Sequence, residues 1–212
     1  MTRPDVMFHT SHLAQFNKAP SNAALNYLLD VVAYLYCTKD QGITYGGNYS
    51  NPPVDIEQSE LPEVWGDASF GGKTVHPYAG GFIRWKVAAI LWIARKLKFV
   101  PLSTCEAEVA ATVMMLKEAM FVLSVLHDLG YATEGKLPTL TDSKSGRDVV
   151  RNPGVTKHTA HFARWLHWAR ELYMNKRIEM ILVEDPDMMA DCDTKIVDRD
   201  KFFKCIKFQM NL

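Results

Sequence analysis

Leu102-Ser-Thr-Cys-Glu-Ala-Glu-Val-Ala-Ala111 opens the longest periodic stretch of the chain, and its reading decides the fold. Ser103 followed three residues later by Glu106 matches a capping box, in which Glu106 reaches back to the Ser103 N–H. Gly130 is a usual helix stop, so the spacing predicts one helix over 102–129. Val109, Val113, Met114, Leu116, Met120, Val122, Leu123 and Leu126 go nearly all round it, which requires burial on more than one side. The flanking segments supply that cover. Candidate strands precede it at 64–70, 80–86 and 88–94, the last almost wholly apolar and so read as central. After it come a strand over 137–141, a helix over 143–151 and a break at Asn152-Pro-Gly154. A helix over 156–175, a strand over 178–183 and short helices over 188–195 and 200–208 complete the chain. The order β-β-β-α-β-α-α-β-α predicts an α/β domain with a mixed sheet.

Upstream, 4–18 and 21–37 read as helices, with Ser21 as the cap of the second, and Gly42-Ile-Thr-Tyr45 as a short strand. Residues 46–61 are rich in Gly, Pro, Asn and Ser and lack periodicity. They divide the chain into a helical segment over 1–45, a linker over 46–61 and a main domain over 62–212. The 212 residues are 48% apolar and 23% charged, a globular composition that excludes a disordered chain. The apolar run Val87–Ala94 falls far short of the roughly 20 residues that span a bilayer, so no membrane partner is expected. The first residues carry no apolar signal core. Cys37, Cys105, Cys192 and Cys205 form no CxxC pair, which predicts free thiols and a reducing, cytoplasmic setting.

Most acids lie on polar stretches; four do not. Asp67 lies in a strand, Glu108 in the first turns of the most apolar helix, Asp142 at a strand end and Asp191 at a helix start. Each has an ordinary explanation. Asp67 could be a partly exposed strand carboxylate, Glu108 could sit on a solvent stripe, Asp142 could cap the next helix, and Asp191 could complement a helix dipole. Together they form a set whose burial would need cations, and Mg²⁺ favours such carboxylates.

In that order the four acids resemble those of an RNase H domain, more narrowly that of copia-group LTR retrotransposons. The match is carried by Asp67-Ala68, Leu102-Ser-Thr-Cys-Glu-Ala-Glu108-Val-Ala-Ala111, Thr141-Asp142-Ser143 and Ala190-Asp191-x-x-Thr194-Lys195, with His161, His167 and Arg170-Glu171 resembling the family's HI…H-x-x-RE helix. Arg3-Pro-Asp5, Tyr34-Leu35, Thr38-Lys39-Asp40 and Gly42-Ile-Thr-Tyr45 resemble the end of the reverse transcriptase that precedes RNase H in such polyproteins. The sequence departs from the family at Ser69-Phe70, at Ala79-Gly80-Gly81, and at Trp92-Ile-Ala-Arg95-Lys96-Leu97. None of these departures touches the four acids.

The resemblance implies an RNase H-like five-stranded mixed sheet flanked by helices and preceded by a small helical appendage. It implies endonucleolytic hydrolysis of the RNA strand of RNA–DNA hybrids, with 5′-phosphate and 3′-hydroxyl products. Two Mg²⁺ ions, with Mn²⁺ as a substitute, would be held by Asp67, Glu108, Asp142 and Asp191. A reverse transcriptase domain is the implied partner, and the cytoplasm, within virus-like particles, the implied setting. The alternative is an idle connection module that binds hybrid or polymerase without cleaving. The loop before the last acid, Glu184-Asp-Pro-Asp-Met-Met189, lacks the histidine that cellular relatives use in product release, so a neighbouring acid would have to help or the step would go without.

The neutral sum of 24 basic and 24 acidic residues hides segregation. Basic residues dominate 84–98 and 143–177, and acids dominate 178–201. Phosphate binding fits the first two zones and a metal site the third, although a solvated helix face is the commoner explanation of any single run. Candidate hybrid contacts are Arg95, Lys96, Ser143, and Ser103 and Thr104 at the helix start. The loop near Gly71-Gly72 is a further one. His158, His161 and His167 lack the partners of a structural zinc site, and there is no Walker A or GxGxxG string.

Overall fold

The computed structural model describes residues 2–47, 60–70, 77–152, 154 and 159–212. Most of the 46–61 stretch, the Gly71-Gly72 loop and Lys157-His158 lie outside them. The described elements are α1 (Met7–Leu13), α2 (Asn22–Cys37), β1 (Glu63–Ala68), β2 (Tyr78–Trp85), β3 (Ala88–Lys96), α3 (Thr104–Asp128), β4 (Leu137–Thr141), α4 (Lys144–Arg151), α5 (Ala163–Met174), β5 (Ile178–Leu182) and α6 (Arg199–Met210).

One five-stranded sheet runs in the order β3-β2-β1-β4-β5. β1 pairs antiparallel with β2 and parallel with β4, and β4 pairs parallel with β5. This is the mixed sheet flanked by helices that the resemblance implies. Alternation along β1 separates two cores. Val64 and Ala68 join Ala107, Ala111, Met115 and Leu116 of α3 on one face. Trp65, stacked on Phe82 with centroids 5.6 Å apart, joins Phe208 of α6 on the other. α3 packs directly over Gly66, where an added β-carbon would meet Met115 Cγ at 3.4 Å and the Ala111 carbonyl at 3.6 Å, ordinary contact distances. By length and composition α3 is apolar enough to cross a membrane; here most of its apolar residues pack against the sheet and its neighbouring helices, while Phe121 and Val125 are exposed.

Several expectations need correction. β3 is an edge strand, not a central one. Its apolar character comes from the N-terminal segment that covers it: Met7 and Phe8 of α1 pack with Tyr78 and Ala94, and the Tyr45 hydroxyl donates to the Ala89 carbonyl at 2.8 Å. Gly42-Ile-Thr-Tyr45 is not a strand. Its backbone is satisfied at the end of α6, where Thr44 N–H donates to the Met210 carbonyl at 2.9 Å and Asn211 Nδ2 donates to the Thr44 and Gly46 carbonyls. The helix expected over 188–195 is only a 3-10 turn at Asp191–Asp193. Met188 through Thr194 are all buried, so this segment has no exposed face of the kind a surface helix presents. The helix expected over 4–18 is broken into a 3-10 turn, α1 and a second 3-10 turn. α5 begins at Ala163, after a 3-10 turn at Ala160–Phe162. Ser103 does cap α3, accepting from Glu106 N–H at 3.1 Å, but Glu106 takes the Leu102 N–H, at 2.6 Å, rather than that of Ser103.

Candidate active site

The register of β1 on β4 sets Val64 beside Thr139 and Trp65 beside Leu140. Continued two residues, it puts Asp67 level with Asp142, just past the end of β4. Both acids therefore emerge at the carboxyl ends of adjacent parallel strands, where α/β sheets commonly bind ligands. Asp191 reaches them from its 3-10 turn, which lies against β2. Asp67 pairs with Gly80 across the sheet, and a β-carbon at Gly80 would lie 2.7 Å from both the Asp193 and Ile93 carbonyl oxygens. The bare backbone at Gly80 is what lets the turn lie so close.

One carboxylate oxygen from each of Asp67, Asp142 and Asp191 lies within 4.8 Å of the others. Asp67 and Asp191 are buried and Asp142 is half-buried. Glu108 comes to the same place from α3 and feels the charges of Asp67 and Asp142. Its Oε2 is buried and has no hydrogen-bond partner among the described residues.

Burial is the main force on these groups, and mutual repulsion adds to it. Asp67 is pushed up to about 6 by burial, against the pull of Lys195 and with a further push from Asp191. Burial holds Glu108 well above the usual carboxylate range, with Asp67 and Asp142 adding to it. Asp142 is raised by burial and by Asp191. The chain supplies some compensation. The Thr194 hydroxyl donates to Asp67 Oδ2. Lys195 Nζ lies 2.8 Å from Asp191 Oδ1 and 4.0 Å from Asp67 Oδ2, and Lys201 Nζ lies 3.3 Å from Asp191 Oδ2. Burial works against the Lys195 charge, but Asp67 and Asp191 outweigh it and hold the ammonium above its ordinary range.

The donors of this cluster are all hard carboxylate oxygens, the chemistry that suits Mg²⁺ or Mn²⁺ and not zinc-type N/S coordination. A buried glutamate oxygen lacks a partner and an ammonium already stands between two of the acids, so the residues fit a divalent cation. Sequence reasoning noted Thr194 and Lys195 only as letters of a motif and gave them no role. The four-residue step from Asp191 to Lys195 was the available signal. Asp193 was also passed over. It is 1% exposed, accepts from Gln209 Nε2 at 3.0 Å, and is raised well above the carboxylate range by burial and by Cys205.

The expected hybrid contacts are placed less uniformly. Ser103 and Thr104 lie at the start of α3, about one turn from Glu108. The Ser143 oxygen caps α4 by accepting from Gly146 N–H at 3.0 Å. Arg95 Nε donates to Met114 Sδ at 2.9 Å, and Lys96 Nζ donates to Gln15 Oε1 at 2.8 Å. These two do not join the acids; with Lys98, Lys117 and Trp165 they line a groove along α3. Two residues of the basic zones are interior. Arg84 is fully buried beside Glu63 and over the Phe208 ring. Arg170 donates to the Val149 and Gly154 carbonyls, both at 2.8 Å. His161 Nε2 lies 3.1 Å from Glu106 Oε2 and braces the start of α3.

No family model matches the chain. Its relatives are retrovirus-related Pol polyproteins from transposons. It is 26% identical over 206 residues, 96% of its length, to that of transposon TNT 1-94 of Nicotiana tabacum. It is 26% identical over 203 residues, 95% of its length, to those of transposons RE2 and RE1 of Arabidopsis thaliana. The chain spans 15%, 13% and 13% of the length of these three relatives. Among solved structures it is similar to the N-terminal RNase H domain of Rv2228c from Mycobacterium tuberculosis, fused to maltose binding protein. That likeness has 17% identity and a TM-score of 0.46, and covers 70% of this chain and 98% of that one.

Proposed function

We propose that this chain is a ribonuclease H that hydrolyses the RNA strand of RNA–DNA hybrids, working as one module of a retrotransposon polyprotein. The observation that carries the reading is the meeting of Asp67, Asp142 and Asp191 within 4.8 Å at the carboxyl ends of β1 and β4, with Glu108 beside them. Nothing in the packing of this sheet calls for so many buried acids in one place, and burying them without a counter-charge is costly. Asp67, Glu108, Asp142 and Asp191 would hold two divalent ions, which supply an activated water and neutralise charge building on the phosphate. Thr194 fixes Asp67 for that task and Gln209 fixes the turn through Asp193. Ser103 and Thr104 are assigned to a backbone phosphate of the hybrid through the start of α3, and Arg95 and Lys96 to a more distant part of the duplex along the α3 groove. Residues 1–45 are assigned to the polymerase side of the polyprotein, 46–61 to a linker and 62–212 to the nuclease.

The test uses an RNA–DNA hybrid labelled on the RNA strand. The chain cleaves it in Mg²⁺ or Mn²⁺. Asp67→Asn lowers cleavage on the order of 10³-fold or more, the scale of losing a main electrostatic stabiliser, and leaves hybrid binding in place. An Asp67→Asn protein that cleaves as fast as the parent overturns the reading. A parent chain that binds hybrid but never cleaves it supports the idle module instead.

A further inference from the structure

Lys195 stands where a cation belongs. Its Nζ is 2.8 Å from Asp191 Oδ1 and 4.0 Å from Asp67 Oδ2, so one ammonium faces two of the three clustered aspartates, and Asp142 also acts on it. The other Asp191 oxygen is taken by Lys201, whose Nζ also donates to the Asp185 carbonyl at 2.5 Å. The two lysines differ in freedom: the Lys195 side chain is 39% exposed and that of Lys201 13%. Lys195 also borders a groove between the N-terminal helices and residues 195–202, lined by Tyr27, Asp30, Tyr34 and Phe202 among others. The groove gives its flexible stem an apolar surface to lie along and a second carboxylate, Asp30, to approach.

We propose that Lys195 is a tethered competitor for the metal site. It holds Asp67 and Asp191 together when no divalent ion is bound and swings toward the Asp30 groove when one arrives. This rests on the reading of the four acids as metal ligands. Lys195 is a positioning residue in this account, and its effect on affinity follows from mass action. If the ammonium occupies the site in about nine molecules of ten, the apparent dissociation constant of the ion is weakened about tenfold. The arrangement also keeps neighbouring carboxylates from repelling one another before the ion binds.

Calorimetric titration of the full chain with Mn²⁺, without nucleic acid, tests this. Lys195→Met binds Mn²⁺ about tenfold more tightly than the parent, and Lys195→Arg, which keeps the cation, stays close to it. The metal-free Met variant melts lower than the parent, and saturating Mn²⁺ closes the gap. Equal or weaker Mn²⁺ binding by Lys195→Met overturns the proposal but leaves the metal reading standing. Failure of the parent and the Met variant alike to bind Mn²⁺ overturns both. A measurement on the parent chain covers the case in which Lys195→Met does not fold. The Nζ resonance of ¹⁵N-labelled Lys195, assigned by its loss in Lys195→Arg, shifts in step with Mg²⁺ occupancy. A resonance that stays fixed through saturation overturns the proposal.

Discussion

Asp5 and Asp67 are buried to the same degree, 3% and 2% exposed, yet the chain treats their charges differently. Asp5 receives Arg3 Nη2 at 2.7 Å and Arg3 Nε at 3.0 Å, and the Tyr34 hydroxyl at 2.8 Å. Arg3 in turn donates to the Thr38 carbonyl at 2.9 Å. This network ties the start of the chain to the end of α2 and is complete within itself. Asp67 has a threonine hydroxyl, an ammonium no nearer than 4.0 Å, and other acids for neighbours. Equal burial with unequal compensation distinguishes a structural carboxylate from one kept for something the chain does not provide.

Opposite signs on mutation would confirm that contrast. Asp5→Ala strands the Arg3 guanidinium and is expected to cost about 3 kcal/mol of stability, with cleavage per folded molecule unchanged. Urea unfolding and a hybrid-cleavage assay on the same preparation read both. Asp67→Asn removes a disfavoured charge, so in EDTA at neutral pH it is expected to unfold at higher urea than the parent while losing cleavage. If both variants lost stability in EDTA, the distinction between the two aspartates would fail.

The pH dependence sharpens the same point. Asp67 titrates at about 6 in the folded chain and at about 4 when unfolded. Between those values the folded state holds the extra proton. The contribution of Asp67 to stability therefore rises as pH falls from about 6 to about 4, and is lost as pH rises back through that window. The size is roughly 2–3 kcal/mol, read as the difference between parent and Asp67→Asn in EDTA at pH 4.5 and 7.5. Saturating Mg²⁺ should erase the difference in slope, because a bound ion favours the charged carboxylate.

A smaller effect is expected at the backbone that brings the acids together. Gly80→Ala places a β-carbon against two carbonyl oxygens, so the Asp191–Asp193 turn or β3 must shift. The expected cost is about 2 kcal/mol of stability, with a loss of Mn²⁺ affinity that Asp5→Ala does not show. Unchanged affinity in Gly80→Ala would mean that the close approach of the turn to β2 does not set the site.

How far the sequence carried can be judged at individual residues. The capped start of α3, the strands β4 and β5 and the α/β alternation were legible because periodicity and turn residues are local signals. The four acids were legible as a set through their order along the chain, and their geometry was not. What brings Asp67 level with Asp142 is strand register, a long-range property. The edge position of β3 was misread because apolar content reports burial, and an N-terminal segment can bury an edge as well as neighbouring strands can. Arg84 and Arg170 were counted with basic zones because their letters carry charge; only packing shows that one lies over Phe208 and the other holds the carbonyls of Val149 and Gly154. Lys195 was overlooked because an acid at i and a lysine at i+4 is also the commonest surface pair on a helix.

The stitching of residues 44–46 to the end of α6, with Tyr45 reaching Ala89, has a consequence for processing. If a protease site is engineered between residues 47 and 60 and cut, peptide-bond scission should leave the two fragments travelling as one particle on a sizing column. Their separation would then require denaturant, and the freed N-terminal piece would behave as a subunit and not as a discarded leader.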